Sequence, residues 1–210
     1  MLMTNIYSYV VRYDSGFAPN PFYGYCTLAT CKPSIRRSAY VGDWVIGCGS
    51  NEQRIKRGGY LVYAMRVTEI MTFDEYNEDE RFVLKQPFRN GSRKQSCGDN
   101  IYFRSTPLSI WQQRDSFHSK EDGTIQLNHV ARDTGVNRVL ISEDFIYFGG
   151  EGPKLPEKFV DNRDRSLCKR GIGSSKFNDP QLISDFEQWF LGQKEKGFVG
   201  FPYEWLDLRR

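Results

Sequence analysis

The sequence lacks the features that identify membrane-spanning and secreted proteins. No apolar run approaches the ~20 residues needed to cross a bilayer. The opening residues MLMTNIYSYVV contain neither a basic stretch nor a small-residue cleavage site. We therefore expect a mature cytoplasmic protein that has no membrane partner.

Histidine is scarce, and the cysteines are not closely spaced. The chain has two histidines and five cysteines, and it contains no CxxC pair. Structural zinc sites draw on closely spaced Cys and His ligands, so we predict no metal site. An odd number of cysteines without a secretion signal favours reduced thiols.

The net charge is low. The formal charge of +3 permits a nucleotide or nucleic-acid partner, but it is weaker than the charge of an obligate duplex binder. Hydrophobic residues make up 39% of the chain and aromatic residues 15%, which is enough for a packed core. We predict one domain over residues 1–210, with 160–210 as a C-terminal helical extension. The basic side chains of Arg54, Lys56 and Arg57 are interpreted as a solvated loop.

One segment, residues 14–50, combines features that a plain core segment does not need. A Gly/Pro-rich turn carries Asn20, and Cys26 and Cys31 border a short apolar run. Three cations follow, at Lys32, Arg36 and Arg37. This combination predicts a functional site whose cations contact phosphate.

The first half of the chain is mostly strand-forming. The segments rich in β-branched and aromatic residues are 5–13, 22–30, 43–48 and 60–70. The length of 60–70 predicts a central strand that pairs on both sides, with 43–48 as one neighbour. A short helix over 34–40 is expected to present Arg36 and Arg37.

The middle of the chain is mixed in character. Thr72 and Glu75 have the spacing of a capping box, which predicts a helix beginning there. Residues 86–95 are interpreted as a loop, and 123–130 as a short strand or extended segment. Of the two apolar runs within 138–148, the first predicts a strand and the second a strand or a closely packed turn.

The last part of the chain carries a clear helix signal. Asp179 is a suitable N-cap, and Pro180 suits the first helical position. The apolar residues that follow at helical spacing are Leu182, Ile183, Phe186, Trp189 and Phe190. We expect this helix to pack on a sheet. The basic run 163–170 and the Gly/Ser stretch 171–175 precede it, and backbone N–H groups there are candidates for phosphate binding.

Nucleophilic catalysis is one interpretation of the thiols. Cys26 or Cys31 becomes a nucleophile if the fold brings His118 close enough to act as its base. The alternative is that both thiols are small core residues. Asp14 and Asp99 lie at turns and are further candidates for acid or base.

Two families resemble this chain. GFAPNPFYGYCTLATCKPSIRR, followed by GDWVIGCGS, GDNIYF, WQQRDSFHS and RVLISEDFIYFGG, resembles the second nucleotide modification associated domain family of bacteria and their phages. This resemblance implies participation in modifying nucleotides or bases of DNA. VGDWVIGCGSN with GGYLVYAMRVTEI is similar to EVE and other PUA-like domains, which implies a partial barrel that holds a modified base.

Together these observations predict an α+β fold, with a curved, mostly antiparallel sheet or partial β-barrel and C-terminal helices packed against it. The predicted function is recognition or processing of a nucleotide or modified nucleic-acid base. The alternatives are an enzyme acting directly on the base or nucleotide, of transferase or hydrolase type, and a protein-interaction module. No cofactor is identified.

The predicted ligand-binding residues combine aromatic rings, amides and cations. They are Phe17, Asn20, Lys32, Arg36, Arg37, Trp44, Asn100, Tyr102, Trp111, Gln112 and His118. Stretches 14–20, 98–102 and 111–118 each place an aromatic ring beside a side chain able to read a base edge. We expect these three stretches to open onto one pocket.

Overall fold

The computed structural model describes residues 4–52, 55–169 and 171–206, which fall into two compact units. Unit 1 comprises Met1–Asp14, Ala39–Val67 and Glu143–Arg210, and unit 2 comprises Ser15–Ser38 and Thr68–Ser142. Arg54 of the predicted solvated loop and Arg170 of the predicted phosphate-binding run lie outside the described residues.

The described residues form short strands and helices. The strands are β1 (Ile6–Val11), β2 (Cys26–Leu28), β3 (Trp44–Gly49), β4 (Leu61–Arg66), β5 (Glu69–Met71), β6 (Tyr102–Phe103), β7 (Gln112–Gln113), β8 (Val139–Ser142), β9 (Asp144–Tyr147), β10 (Ser174–Phe177) and β11 (Gly197–Phe198). The helices are α1 (Pro33–Ser38), α2 (Phe73–Glu78), α3 (Arg93–Ser96), α4 (Leu127–Thr134), α5 (Pro180–Leu191) and α6 (Tyr203–Leu206). Two 3-10 helices cover Glu80–Lys85 and Gly149–Glu151. Among the described residues, no helix is both long enough and apolar enough to cross a membrane.

Unit 1 contains a six-stranded mixed sheet in the order β10-β1-β3-β4-β9-β11. The β1–β3 and β9–β11 pairs are parallel, and the other pairs are antiparallel. The α+β class is confirmed, but the sheet is not a closed barrel and it is more mixed than expected. Because β1, β3, β9 and β11 run in one direction, their carboxyl ends lie at the same edge.

The predicted central strand is confirmed as β4. It pairs with β3 on one side and with β9 on the other. The strand ends at Arg66, however, and Glu69–Met71 form β5 in a different sheet. The apolar pattern of 60–70 therefore covers two strands rather than one.

The predicted C-terminal helix is also confirmed, as α5. The Asp179 side chain accepts hydrogen bonds from the Gln181 and Leu182 N–H groups, with Pro180 in the first turn. The rings of Phe186 and Phe190 lie 5.4 and 4.5 Å from the Trp44 ring, so the helix packs on the sheet.

Two expectations for this region are wrong. The Gly/Ser stretch 171–175 leads into β10, which pairs with β1, so it does not open the helix as a phosphate loop would. Cys48 and Cys168 form a disulfide with a Cα–Cα distance of 5.7 Å, so these two thiols are not reduced. Strand β3 and the segment before β10 bring the two cysteines together. Because they are 120 residues apart in the sequence, their proximity could not be inferred from spacing.

Unit 2 contains the three-stranded sheet β2-β8-β5, the β6–β7 hairpin and helices α1 to α4. The predicted capping box at the start of α2 is confirmed, because the Thr72 side chain and Glu75 satisfy each other's N–H groups. The predicted strand 22–30 is shorter than expected, since only Cys26–Leu28 pair with β8.

Two helices of unit 2 differ from the sequence prediction. Ser92 and Gln95 form a second capping box, so the predicted loop contains α3. The expected strand or extended segment 123–130 instead leads into α4, where Val130 and Asp133, three positions apart, lie on the buried side. Polar residues on the other side of α4 obscure this helical period.

Candidate active site

Cys31 lies at a tight backbone turn just before α1. The φ angles of Cys31 and Lys32 are 59° and 43°, a left-handed conformation that non-glycine residues rarely adopt. The Cys31 N–H donates to Asp133 Oδ1 at 3.1 Å, and its carbonyl accepts from Arg36 Nε at 2.9 Å. These bonds hold the turn on both sides of the thiol. Such conformations concentrate at functional sites.

The turn places the Cys31 thiol beside His118. The distance from Cys31 Sγ to His118 Nε2 is 3.5 Å, and His118 Nδ1 lies 2.9 Å from Asp133 Oδ2. The thiol is half-buried, His118 is 8% exposed and Asp133 is fully buried. Thiol, imidazole and carboxylate thus form one chain of contacts, the arrangement of a nucleophile, its base and the group that orients the base.

Asp133 is held as an anion by its neighbours. The Tyr102 hydroxyl donates to Oδ2 at 2.8 Å, and Arg132 Nε donates to Oδ1 at 3.0 Å. Burial acts to raise the pKa of Asp133, but hydrogen bonds from His118 and Arg132 hold it well below its usual range. A permanently charged Asp133 fixes the orientation of the imidazole.

The resting protonation states follow from burial. Burial lowers the pKa of His118 despite the hydrogen bond to Asp133. Burial and the charge of Asp133 raise the pKa of the Cys31 thiol. Both groups are therefore neutral near pH 7. An imidazole that donates its Nδ1–H to Asp133 keeps a lone pair on Nε2, which is positioned to take the thiol proton.

Aromatic and basic side chains surround His118. The Phe17 ring centroid lies 4.8 Å from the imidazole, nearly edge-on, and the His129 ring lies at 4.4 Å. His129 Nδ1 also contacts the His118 carbonyl oxygen at 2.9 Å. Of the predicted ligand-binding residues, Phe17, Tyr102, His118 and the buried Arg36 are brought together here.

Cys26 and Asp99 occupy a different environment in unit 2. Cys26 is fully buried, and burial raises its pKa strongly. Asp99 accepts from the Thr27 and Tyr76 hydroxyls at 2.7 and 2.8 Å, and burial raises its pKa. The buried Lys85 ammonium donates to Thr27 Oγ1 at 3.1 Å and completes this network. The network packs inside the unit, so its geometry is that of a core cluster.

The predicted base-reading amides are also internal. Asn20 Nδ2 donates to the Cys97 carbonyl at 2.8 Å, and Asn100 Nδ2 donates to the Tyr76 carbonyl at 3.0 Å. Both side chains are at most 1% exposed. Asn100 Oδ1 has no hydrogen-bond partner among the described residues. A role of these amides in reading a base stays a prediction.

The cations of α1 are not equivalent. Arg36 is fully buried, so the expectation that α1 presents it is wrong. Besides the Cys31 carbonyl, its guanidinium donates to the carbonyls of Asp133, Val136 and Arg138 at 2.6 to 2.7 Å. These carbonyls, at and beyond the end of α4, draw the side chain inward. Arg37 is exposed as expected, and Lys32 is half-buried.

The predicted tryptophans differ in the same way. Trp44 is 2% exposed in the core of unit 1, and its indole N–H donates to Glu187 at 3.0 Å. Its ring is a packing surface for α5 rather than a surface for a ligand. Trp111 in unit 2 is half-buried, with the Arg104 guanidinium carbon 4.2 Å from its ring centroid. Gln112, the next residue, is exposed.

Asp14 belongs to unit 1, where it faces a cavity. Its carboxylate accepts from the Tyr147 hydroxyl and from the Tyr203 N–H at 2.9 Å. Burial raises the pKa of Asp14 to about 6, despite these hydrogen bonds. Both oxygens are thus engaged in holding the wall of the cavity.

Sequence reasoning missed Asp133 and Arg132, because it interpreted the segment before them as extended. A helical interpretation of 127–134 places Asp133 and Val130 on one buried face. It also missed Lys85, whose burial follows from contacts with residues far away in the chain.

A family model described as nucleotide modification associated domain 2 matches residues 3–209, nearly the whole chain. The chain belongs to this family. Family membership associates it with nucleotide or DNA modification systems. No curated protein and no solved structure matches it.

Proposed function

We propose that this protein is a cysteine-dependent enzyme that processes a nucleotide or a nucleic-acid base. The observation that carries the proposal is the contact chain from Cys31 Sγ through His118 to Asp133. Membership of the nucleotide modification associated domain 2 family supports the substrate class. The reaction is of transferase or hydrolase type.

The geometry supports the following sequence of steps. Cys31 Sγ attacks an electrophilic carbon of the substrate while His118 Nε2 takes the thiol proton, so an S–C bond forms. The protonated imidazole, stabilised by Asp133, returns that proton to the departing group as its bond to carbon breaks. Water or another acceptor then attacks the same carbon while His118 takes its proton, and the S–C bond breaks. The protonated imidazole returns that proton to the departing Cys31 sulfur, which restores the thiol.

Side chains of unit 2 are suited to hold the substrate. Phe17, beside His118, and the half-buried Trp111 offer rings for stacking on a base. The exposed Arg37 and the half-buried Lys32 follow Cys31 in the chain and are suited to phosphate. The resemblance of 41–51 and 58–70, mostly in unit 1, to EVE and PUA-like domains also supports a base as ligand.

The competing function is a base reader that performs no chemistry. Mass spectrometry distinguishes the two functions. Nucleosides from cellular DNA and from nucleotide pools are compared after expression of either the wild-type protein or Cys31→Ala. We expect a change in nucleoside composition that Cys31→Ala abolishes. Cys97→Ala is the matched control, because the Cys97 thiol donates to the Ser15 carbonyl. An identical change with Cys31→Ala contradicts the proposal.

A further inference from the structure

Unit 1 contains a cavity of about 430 Å³ that the Cys31 chemistry does not use. It lies at the edge where the co-directional strands end. Its walls include Val11 at the end of β1, Gly49 at the end of β3, and Gly149 and Gly150 just after β9. Ligands of open sheets bind outside the carboxyl ends of parallel strands. The volume lies within the range of small-molecule sites and accommodates a nucleoside.

Part of the cavity wall is bare backbone. A Cβ atom at Gly49 would lie 2.5 Å from the Arg57 carbonyl oxygen, and one at Gly150 would lie 2.7 Å from Leu206. Neither position accepts a side chain without displacing its neighbours. The close packing of the chain around the cavity therefore requires glycine at both positions.

Arg57 provides a fixed planar surface in the cavity. Its guanidinium carbon lies 4.2 Å from the Tyr60 ring centroid, and Nη2 donates to the Gly152 carbonyl at 2.7 Å. The stacking and the hydrogen bond together restrict the orientation of the guanidinium plane. Arginine planes held in this way stack on nucleobases.

Glu204 provides an acceptor at the cavity. Its carboxylate receives no hydrogen bond from the part of the chain that the structure describes, unlike Asp14, whose two oxygens are both engaged. An ionised carboxylate only accepts, and it pairs best with two adjacent N–H donors. Guanine presents such a pair at N1 and N2. On the corresponding edge, adenine and cytosine place an acceptor next to their amino donor, and uracil flanks its one donor with acceptors.

We propose that this cavity binds a guanine-type nucleobase, with its ring stacked on Arg57 and its N1–H and N2–H edge hydrogen-bonded to Glu204. The Arg12–Glu52 ion pair, at 3.0 Å, also lines the cavity. The proposal rests on the cavity alone. It is therefore independent of the chemistry at Cys31.

Calorimetric titration of the full chain with GMP, IMP, AMP and CMP tests this assignment. We expect GMP to bind, and IMP, which lacks the N2 amine, to bind about tenfold more weakly. AMP and CMP should bind more weakly still. Glu204→Gln, which keeps the shape and removes the charge, should weaken GMP binding about tenfold or more.

The matched control is Glu157→Gln, also in unit 1, where the glutamate side chain is 89% exposed and outside the cavity lining. It should bind GMP as the wild type does, and so should Cys31→Ala. Thermal melting of Glu204→Gln verifies that the variant is folded. Absence of GMP binding, equal binding of AMP, or unchanged GMP binding in folded Glu204→Gln overturns the proposal. None of these results bears on the Cys31 chemistry.

Discussion

Replacing Arg36 by Met should destabilise the protein strongly, because it removes every donor that the buried guanidinium supplies. Four hydrogen bonds to main-chain carbonyls are lost, with lengths from 2.6 to 2.9 Å. Each buried carbonyl left without a donor costs ~1–3 kcal/mol. The Val136 carbonyl keeps a bond from the Arg138 N–H, which reduces the sum. We expect a loss of about 3–5 kcal/mol, the usual cost of removing one partner from a buried charged network.

Urea unfolding measures this loss, and Arg37→Met is the matched control. Arg37 is the next residue of α1 and is exposed, so its replacement should change the free energy of unfolding by no more than ~0.5 kcal/mol. In thermal melts the two variants should differ by roughly 10 °C. If Arg36→Met unfolds within about 1 kcal/mol of Arg37→Met, the guanidinium does not hold the Cys31 turn, and the reasoning is refuted.

Three further outcomes are expected. The folded-state pKa of Asp14, about 6, lies above its ordinary value of 3.8. Ionising Asp14 therefore destabilises the fold. The contribution of Asp14 to the free energy of unfolding should fall by up to ~3 kcal/mol as the pH rises from about 4 to 6. Asp14→Asn should flatten this dependence in urea unfolding, and an unchanged profile contradicts the pKa assignment. Trp111→Ala should cost ~1–3 kcal/mol of nucleotide binding at the Cys31 site in titrations of the folded variant; unchanged affinity removes Trp111 from that site. Reduction of the Cys48–Cys168 disulfide should lower stability by up to ~4–5 kcal/mol, as closure of a loop of 120 residues predicts, and a melt insensitive to reductant argues against the bond.

The local sequence pattern predicted secondary structure correctly where a segment's own residues determine its conformation. Strands β1, β3 and β4 follow from β-branched and aromatic runs, and α5 follows from its N-cap at Asp179 and its apolar stripe. The capping box before α2 could be predicted for the same reason. In each case the backbone hydrogen bonds or the buried face are encoded within a few residues.

The candidate site was less predictable, because distant parts of the chain create it. Cys31 and His118 are 87 residues apart, and sequence named both without showing that they meet. Of the two arginines in α1, Arg36 turns inward because it bonds to main-chain carbonyls about 100 positions away in the sequence. The end of β4 at Arg66 is likewise set by pairing partners, since the apolar pattern continues beyond it.

Alkylation of Cys31 by iodoacetamide tests the central claim most directly, with each cysteine followed separately by peptide mass spectrometry. If His118 is the base for the Cys31 thiol, His118→Asn should slow Cys31 alkylation at pH 7 by about tenfold or more, in keeping with the size of general-base effects. The rate at Cys97, whose thiol donates to the Ser15 carbonyl at 3.1 Å, should stay the same and serves as the internal reference. Equal Cys31 alkylation rates in wild type and folded His118→Asn would contradict the account.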